Sequence, residues 1–273
     1  MKLKQAFEDK LNKKELSLLP SSFDVVGDIL IFSDFPNELK NKEKLIGKEI
    51  LSLIKNVKVV CKKIRKYSGK FRLPKLKIIA GAKRKETEHR ENSIRLKLNV
   101  EKVYFSSRLS TERKRINQQV KAGEYVLVMF SGCGVYPINI SKNTKAKEIY
   151  GIEINPAAHK YALENLKLNK VQNVALYIGD VKKIMPKLKK KFDRILLPLP
   201  KGAENFLDLA QSKIKSQGII HFYNFFEEEK INKRSVNDYL EKYIGKKFKI
   251  IDIVKCGQFG PKIFRVCVDI RII

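Results

Sequence analysis

The chain has 273 residues, with 58 Lys and Arg against 29 Asp and Glu and a formal net charge of +29, more than solubility calls for and indicative of a polyanionic partner. Its 43% hydrophobic content is enough for a core and excludes a wholly disordered chain. No run of about 18 uncharged apolar residues occurs, which excludes a membrane-spanning helix, so no membrane partner is expected.

Residues 1–14 alternate charged with single apolar side chains and hold no apolar h-region, so no signal peptide is read and a cytoplasmic location is expected. Two short apolar runs within 24–32, broken at Gly27 and Asp28, predict a hairpin. Leu39, Ile46, Ile50, Leu53 and Ile54 predict a helix over 37–54. Segments 57–61 and 76–80 read as strands either side of a loop at 67–74, and the alternation in 95–100 predicts another strand. Residues 1–54 carry nine basic and nine acidic side chains, whereas 55–97 carry sixteen basic and three acidic. A uniform lysine bias would not concentrate charge in this way, so 55–97 is expected to bind nucleic acid. The pattern changes near residue 98, giving a small basic α+β domain over 1–97 and a second domain over 98–273.

From residue 125 the chain repeats one unit of apolar strand, short loop and amphipathic helix. Strands are predicted at 125–130, 148–153, 173–178, 192–197 and 218–225, with helices at 137–142, 156–168, 181–188, 203–214 and 235–243. Asn155 followed by Pro156 is a helix start, with the proline in the first turn. The alternation implies a parallel sheet covered on both faces. The last two strands, 248–255 and 262–270, are separated only by a glycine-containing turn at 256–261, too short for a parallel crossover, so an antiparallel hairpin ends the sheet. The fold class is therefore α/β, a Rossmann-like sheet with a C-terminal antiparallel hairpin, preceded by a smaller α+β domain.

Ligands of such sheets bind at the carboxyl ends of the strands. The first strand leads into Phe130-Ser131-Gly132-Cys133-Gly134, where Gly132 and Gly134 permit a sharp turn and close approach of a ligand, although the same pair could mark a merely structural turn. The second strand ends at Glu153, a carboxylate able to accept both hydroxyls of a ribose. The third ends at Gly179-Asp180; Asp180 could accept from an adenine amine or cap the next helix. The three features occur in order on successive units and favour S-adenosylmethionine over NAD. The four cysteines, Cys61, Cys133, Cys256 and Cys267, show no C-x-x-C spacing and there are only three histidines, so free thiols and no metal site are expected.

Four further stretches carry a resemblance: Val103-Tyr104-Phe105-Ser106-Ser107-Arg108-Leu109-Ser110-Thr111-Glu112-Arg113-Lys114-Arg115, Arg72 in Lys70-Phe71-Arg72-Leu73, the segment 87–92, and the run from Asp193 through Pro198-Leu199-Pro200-Lys201. Together they resemble the archaeal and eukaryotic tRNA (guanine-37-N1)-methyltransferase family, from about residue 24 to the C-terminus. The resemblance implies that Glu112 is the general base for the guanine N1 proton, that Arg72 steadies charge on O6, and that Arg113 tunes Glu112 and the substrate pose. It also implies that Tyr104 and Arg108 belong to a motif joining the domains near the cofactor, and that Phe130, Gly132, Gly134, Glu153, Asp180 and Pro198 line the cofactor site. The partner implied is the anticodon loop of a tRNA, whose target base would be flipped out of its stack, and a monomer is expected.

Three departures from the family pattern stand out. Its Asn-Leu-Pro reads Pro198-Leu199-Pro200 here, and proline brings no side-chain amide to a base edge. This form resembles the archaeal branch that also methylates C7 of the tricyclic wyosine precursor 4-demethylwyosine in tRNA-Phe, and Pro198 is expected to shape the pocket for that larger base. Val128 stands where many relatives carry an acid, so one cofactor contact is expected to be lost. The family's N-terminal domain, which reads the tRNA corner, is expected to be missing, leaving more of the affinity to 55–97. The rival readings are a sister aminocarboxypropyl transferase acting on the same precursor and a non-catalytic RNA-binding protein.

Overall fold

The computed structural model describes residues 3–199 and 201–273, so Pro200 lies outside the described residues. The chain forms two compact units, Met1–Arg90 with Leu96–Ser107 and Glu91–Arg95 with Arg108–Ile273. The boundary expected near 98 falls in the stretch where the chain passes back and forth between them.

In the first unit, strands β1 (Phe23–Val26), β2 (Ile29–Phe32), β3 (Val59–Ser68) and β4 (Leu73–Gly81) form a sheet in that order. β1 and β2 are the expected hairpin. β2 and β3 are parallel, which obliges the chain to cross over between them. Helix α1 (Lys13–Leu18) precedes the sheet, and the crossover is helix α2 (Glu43–Leu53), entered through a 3-10 turn. Ile46 and Ile50, one turn apart on α2, are fully buried with Leu30, Phe32 and Val60 beneath them. Each such side chain contributes about 1.5–3 kcal/mol. β3 and β4 run well beyond the apolar segments that predicted them, so the expected loop shrinks to a turn over 69–72. Lys63 and Arg65 on the outer face and the buried, ion-paired Lys62 hid this extension, because an antiparallel ribbon with a solvated face needs no apolar run. Strands β5 (Glu86–Glu91), which the sequence reading did not separate as a strand, and β6 (Ile94–Asn99) form a hairpin.

The second unit begins with helix α3 (Ser110–Gln119). Strands β7 (Tyr125–Val128), β8 (Glu148–Glu153), β9 (Val174–Ile178), β10 (Phe192–Leu197), β11 (Ile214–Glu227), β12 (Phe248–Gly260) and β13 (Ile263–Ile272) build one sheet in the order β12-β13-β11-β10-β7-β8-β9. β7 to β11 are parallel and the last two antiparallel. This is the α/β sheet with a terminal hairpin expected from the sequence. Helices α4 (Val135–Asn143), α5 (Pro156–Leu168), α6 (Val181–Ile184), α7 (Leu207–Lys213) and α8 (Lys233–Leu240) connect the strands. α5 starts as expected, with the Asn155 side chain accepting from the Ala157 N–H at 3.0 Å and Pro156 in the first turn. Among the described residues no helix is long and apolar enough to cross a membrane.

One feature of the hairpin departs from the sequence reading. The glycine-containing stretch read as a turn is mostly strand, and only Pro261 and Lys262 join β12 to β13. Gly257 and Gly260 sit at register shifts within β12, the positions where a bulge tolerates a residue without a side chain. β11 is likewise longer than expected. It last pairs with β10 at Phe222, opposite Leu197, yet stays paired with β13 as far as Glu227 opposite Ile263. Residues 223–227 therefore carry a ribbon of β11, β13 and β12 roughly 17 Å past the end of β10.

Candidate active site

The parallel strands leave their carboxyl ends at one edge of the second unit's sheet, and strand order reverses between β7 and β10. That crevice is where an open α/β sheet holds a ligand. The loop after β7 enters it with Gly132 at φ 56° and Gly134 at φ 84°, left-handed conformations that favour glycine. A Cβ on Gly134 would also stand 3.2 Å from that of Ala162 on α5. Glu153, closing β8, braces the loop. Its Oε2 accepts the Gly132 N–H and its Oε1 the Asn155 N–H, both at 2.7 Å. Burial pushes the Glu153 carboxyl above its usual range, against the pull of these N–H groups. Asp180 caps α6, with Oδ1 accepting the Lys182 N–H at 2.9 Å, so the capping role left open in the sequence is one it performs.

Phe130 packs edge-on against Phe206 with ring centroids 5.0 Å apart. Pro198 follows β10 at the centre of a tight turn in which the Leu199 N–H donates to the Leu197 carbonyl at 2.7 Å, a geometry that proline's fixed φ suits. Val128 is fully buried in the core at the end of β7. Cys133, between the two loop glycines, is buried, and its carbonyl accepts from the Asn165 side chain at 3.1 Å.

The Glu-Arg motif lies on α3, where Glu112, Arg115 and Gln119 recur at helical spacing and form a polar stripe turned to the sheet. Glu112 is 5% exposed. Arg115 forks onto its carboxylate, Nε to Oε2 and Nη2 to Oε1, each at 2.7 Å, and the Tyr223 hydroxyl donates to Oε1 at 2.7 Å. The guanidinium placed on Glu112 is thus that of Arg115. Arg113, expected beside Glu112 in the motif, is buried and forks onto Glu91.

Arg115 is shared with a second buried carboxylate, since its Nη1 donates to Asp269 Oδ2 at 2.6 Å. Asp269 also accepts from the Gln119 side chain at 2.8 Å and lies 2.6 Å from His221 Nδ1, its cross-strand partner. Arg194 Nη1 is 2.6 Å from His221 Nε2. A guanidinium only donates, so Nε2 is the acceptor and Nδ1 carries the proton given to Asp269. Burial lowers the His221 pKa, which keeps the ring neutral. Burial would raise the Asp269 carboxyl, but its hydrogen bonds from His221 and Arg115 win and hold it well below the usual carboxylate range. Arg194, fully buried, closes the chain on Glu124 at 2.8 and 3.0 Å. His221, Cys267 and Asp269 bring potential metal ligands within 4.8 Å of one another, but Arg115 and Arg194 already supply the positive charge there.

The sequence reading missed Arg115, Tyr223, Asp269, His221 and Arg194. The signal available was Arg194, His221 and Asp269 inside otherwise apolar strands, because a strand covered on both faces holds an ionisable residue only where a partner meets it. Of the remaining expected residues, Arg108 is exposed in the 3-10 turn Ser107–Leu109. Arg72 and Tyr104 belong to the first unit, both half-buried. Arg72 adopts a left-handed φ of 51° in the β3–β4 turn, where its N–H donates to Gly69 O at 3.0 Å. In the same unit some of the basic surplus is internally paired, Lys62 and Lys77 both with Glu43 at 2.7 and 2.6 Å.

Residues 87–253 match the TRM5/TYW2 methyltransferase domain, and residues 3–84 the TYW2 N-terminal domain. The chain is 41% identical to the tRNA (guanine(37)-N(1))-methyltransferase Trm5b of Pyrococcus abyssi, covering 93% of this chain and 76% of the relative. It is 36% identical to the tRNA 4-demethylwyosine(37)-methyltransferase Taw21 of Saccharolobus solfataricus, covering 91% and 92%. With the Taw22 of Nanoarchaeum equitans, whose name joins both activities, identity is 32% over 92% of this chain and all of that one. Among solved structures, a complex of aTrm5 with tRNALeu superposes at a TM-score of 0.87 with 30% identity, covering all of this chain and 78% of that one. Pyrococcus horikoshii TYW2 in complex with MeSAdo superposes at 0.79 with 26% identity, covering 99% and 97%. The chain therefore belongs to the TRM5/TYW2 methyltransferase family.

Proposed function

We propose that this chain is an S-adenosylmethionine-dependent tRNA methyltransferase acting at position 37, on N1 of guanosine and on C7 of 4-demethylwyosine in tRNA-Phe. The observation that carries the reading is the buried Glu112 carboxylate, anchored by Arg115 and Tyr223 on the sheet that bears the Gly132–Glu153 loop. The relatives named for these two reactions support both arms, and the MeSAdo complex of TYW2 supports the cofactor.

The residues fit that cofactor. The Glu153 carboxylate accepts backbone N–H groups from Gly132, Asn155 and Ile154, and its two oxygens offer about four acceptor sites in all, so one remains for a ribose hydroxyl. Gly132 and Gly134 keep the loop backbone close to whatever lies against it, and Asp180 and Phe130 flank it. When bound, S-adenosylmethionine supplies a methyl group activated by its sulfonium. Glu112 accepts the guanine N1 proton on a carboxylate oxygen, making N1 a nucleophile. Once Glu112 is neutral, Asp269 still balances the Arg115 charge, so the proton transfer strands no buried cation. Arg72 steadies the negative charge on O6, Arg113 fixes α3 through Glu91, Tyr104 and Arg108 border the cofactor, and Pro198 opens the pocket to the tricyclic base. The basic surplus over 55–97 binds tRNA phosphates, and the protein works as a monomer.

The test is mass spectrometry of tRNA nucleosides after incubation with the protein and S-adenosylmethionine, using one tRNA with guanosine at 37 and one carrying 4-demethylwyosine. A methyl increment on both is expected, and Pro198→Asn is expected to lower the C7 to N1 ratio. An unchanged ratio refutes the role of Pro198. The TYW2-type N-terminal match favours a second reading, transfer of the aminocarboxypropyl group; an aminocarboxypropyl increment in place of methyl would establish it.

A further inference from the structure

The ribbon that overruns β10 carries an aromatic surface with no part in the chemistry above. Side chains alternate across a strand, so His221, Tyr223 and Phe225 share one face of β11, as do their partners Asp269, Cys267 and Arg265 on β13. This is the face whose Tyr223 holds Glu112. One row further out, about 7 Å along the strands, Phe225 lies opposite Arg265, and Gly257 is paired beyond it on β12. With no side chain on Gly257, Phe259 reaches over the row, and its ring centroid lies 4.3 Å from that of Phe225. The Arg265 guanidinium stands 5.5 Å from the Phe225 ring. Phe259 is 67% exposed, the highest value among the exposed large hydrophobic residues described. The other face of the ribbon is occupied, Phe226 packing against Tyr239 of α8.

An exposed phenyl ring tilted against a second, half-buried one, with a half-buried guanidinium over that second ring, one row along from the tyrosine that holds the buried carboxylate, matches the way unpaired nucleobases are held: a ring face for the base and a cation for the backbone. A packed core would have covered Phe259, and a protein-binding patch would call for a larger apolar area. We infer that Phe225, Phe259 and Arg265 form a stacking platform for an unpaired nucleobase of the RNA substrate, the one adjacent in the chain to the base presented to Glu112. This deepens the proposed function and rests on it.

The chain contains no tryptophan, so Phe259→Trp gives a single fluorescent reporter. The full-length variant is titrated with an anticodon stem-loop RNA, and with two versions made abasic on the 5′ or the 3′ side of the target guanine. The expected result is quenching at saturation that is lost with one of the abasic RNAs, together with a KM for the stem-loop raised about tenfold in Phe259→Ala and S-adenosylmethionine binding retained. Bound RNA without quenching, or quenching that survives both abasic substitutions, overturns the platform. Methyl transfer by the unaltered protein, run in parallel, separates the two readings. Its absence defeats the proposed function, whereas full transfer with an unquenched tryptophan defeats only this inference.

Discussion

Asp269→Asn is the sharpest perturbation of the buried network. The side chain is 1% exposed and fully engaged: it accepts from Arg115 at 2.6 Å, from Gln119 at 2.8 Å and from His221 Nδ1 at 2.6 Å. The amide keeps the shape but turns one acceptor into a donor facing a donor, and it removes one of the two charges that balance Arg115. Breaking a buried pair costs about 3–5 kcal/mol. Arg115 retains Glu112, so the low end, about 3 kcal/mol, is the expected loss. For a folding unit of this size that lowers Tm by roughly 6–12 °C. The pH dependence follows in sign. The folded-state pKa of Asp269 is depressed, so its stabilisation is present above its unfolded value near 3.8 and is lost as pH falls through the folded value. His221 is also depressed. Below its unfolded value near 6.5 the unfolded chain takes up a proton that the folded chain refuses, so stability falls with acidification there too. Thermal denaturation monitored by circular dichroism at pH 7.5 checks the loss, and steps down to pH 5 check the sign of the His221 contribution. A Tm shift under about 2 °C at pH 7.5 would show that Asp269 does not carry the balance assigned to it.

Glu112→Gln keeps the shape of the side chain and removes its proton acceptance, so single-turnover methylation of guanosine-37 tRNA should slow at least about 100-fold. Glu153→Ala deprives Gly132 and Asn155 of their acceptor and the ribose of its own; calorimetry should show S-adenosylmethionine binding about 30-fold weaker, since hydrogen bonds to a charged group contribute about 1.5–3 kcal/mol. Because burial raises the Glu153 pKa and the ionised form is the better acceptor, cofactor affinity in the unaltered protein should rise with pH just above the usual carboxylate range; a flat profile from pH 5 to 7 counts against this role. tRNA binding measured between low and moderate salt should fall steeply, with a log–log slope of about −4 or beyond if six phosphates are contacted, and a flat affinity would contradict phosphate binding by the basic segment.

Much of the second unit was legible because its strands are covered on both faces and read as apolar runs: β8, β10 and α5 begin and end where the pattern places them. The first unit was harder, because β3 continues past its apolar start through the buried, ion-paired Lys62 and the outer-face Lys63 and Arg65, which hydrophobic periodicity does not mark. The C-terminal ribbon was hidden for another reason. Gly257 and Gly260 read as a turn, yet they sit at bulges of a continuous strand. In the site, Glu153 and the glycine loop follow from their places at strand ends. The partner of Glu112 does not, because a sequence that offers Arg113 and Arg115 does not say which one faces the sheet. The folded helix decides it: on α3, Arg115, like Gln119, faces the sheet beside Glu112, and Arg113 turns to Glu91.

The central claim is methyl transfer to the base at position 37, and cofactor labelled separately in its methyl and aminocarboxypropyl carbons tests it most directly. With a guanosine-37 transcript, digestion should place the methyl label in N1-methylguanosine and leave the aminocarboxypropyl label in solution, and an adenosine-37 transcript should take up neither. Transfer of the aminocarboxypropyl label, or of methyl to the adenosine-37 transcript, would contradict the account.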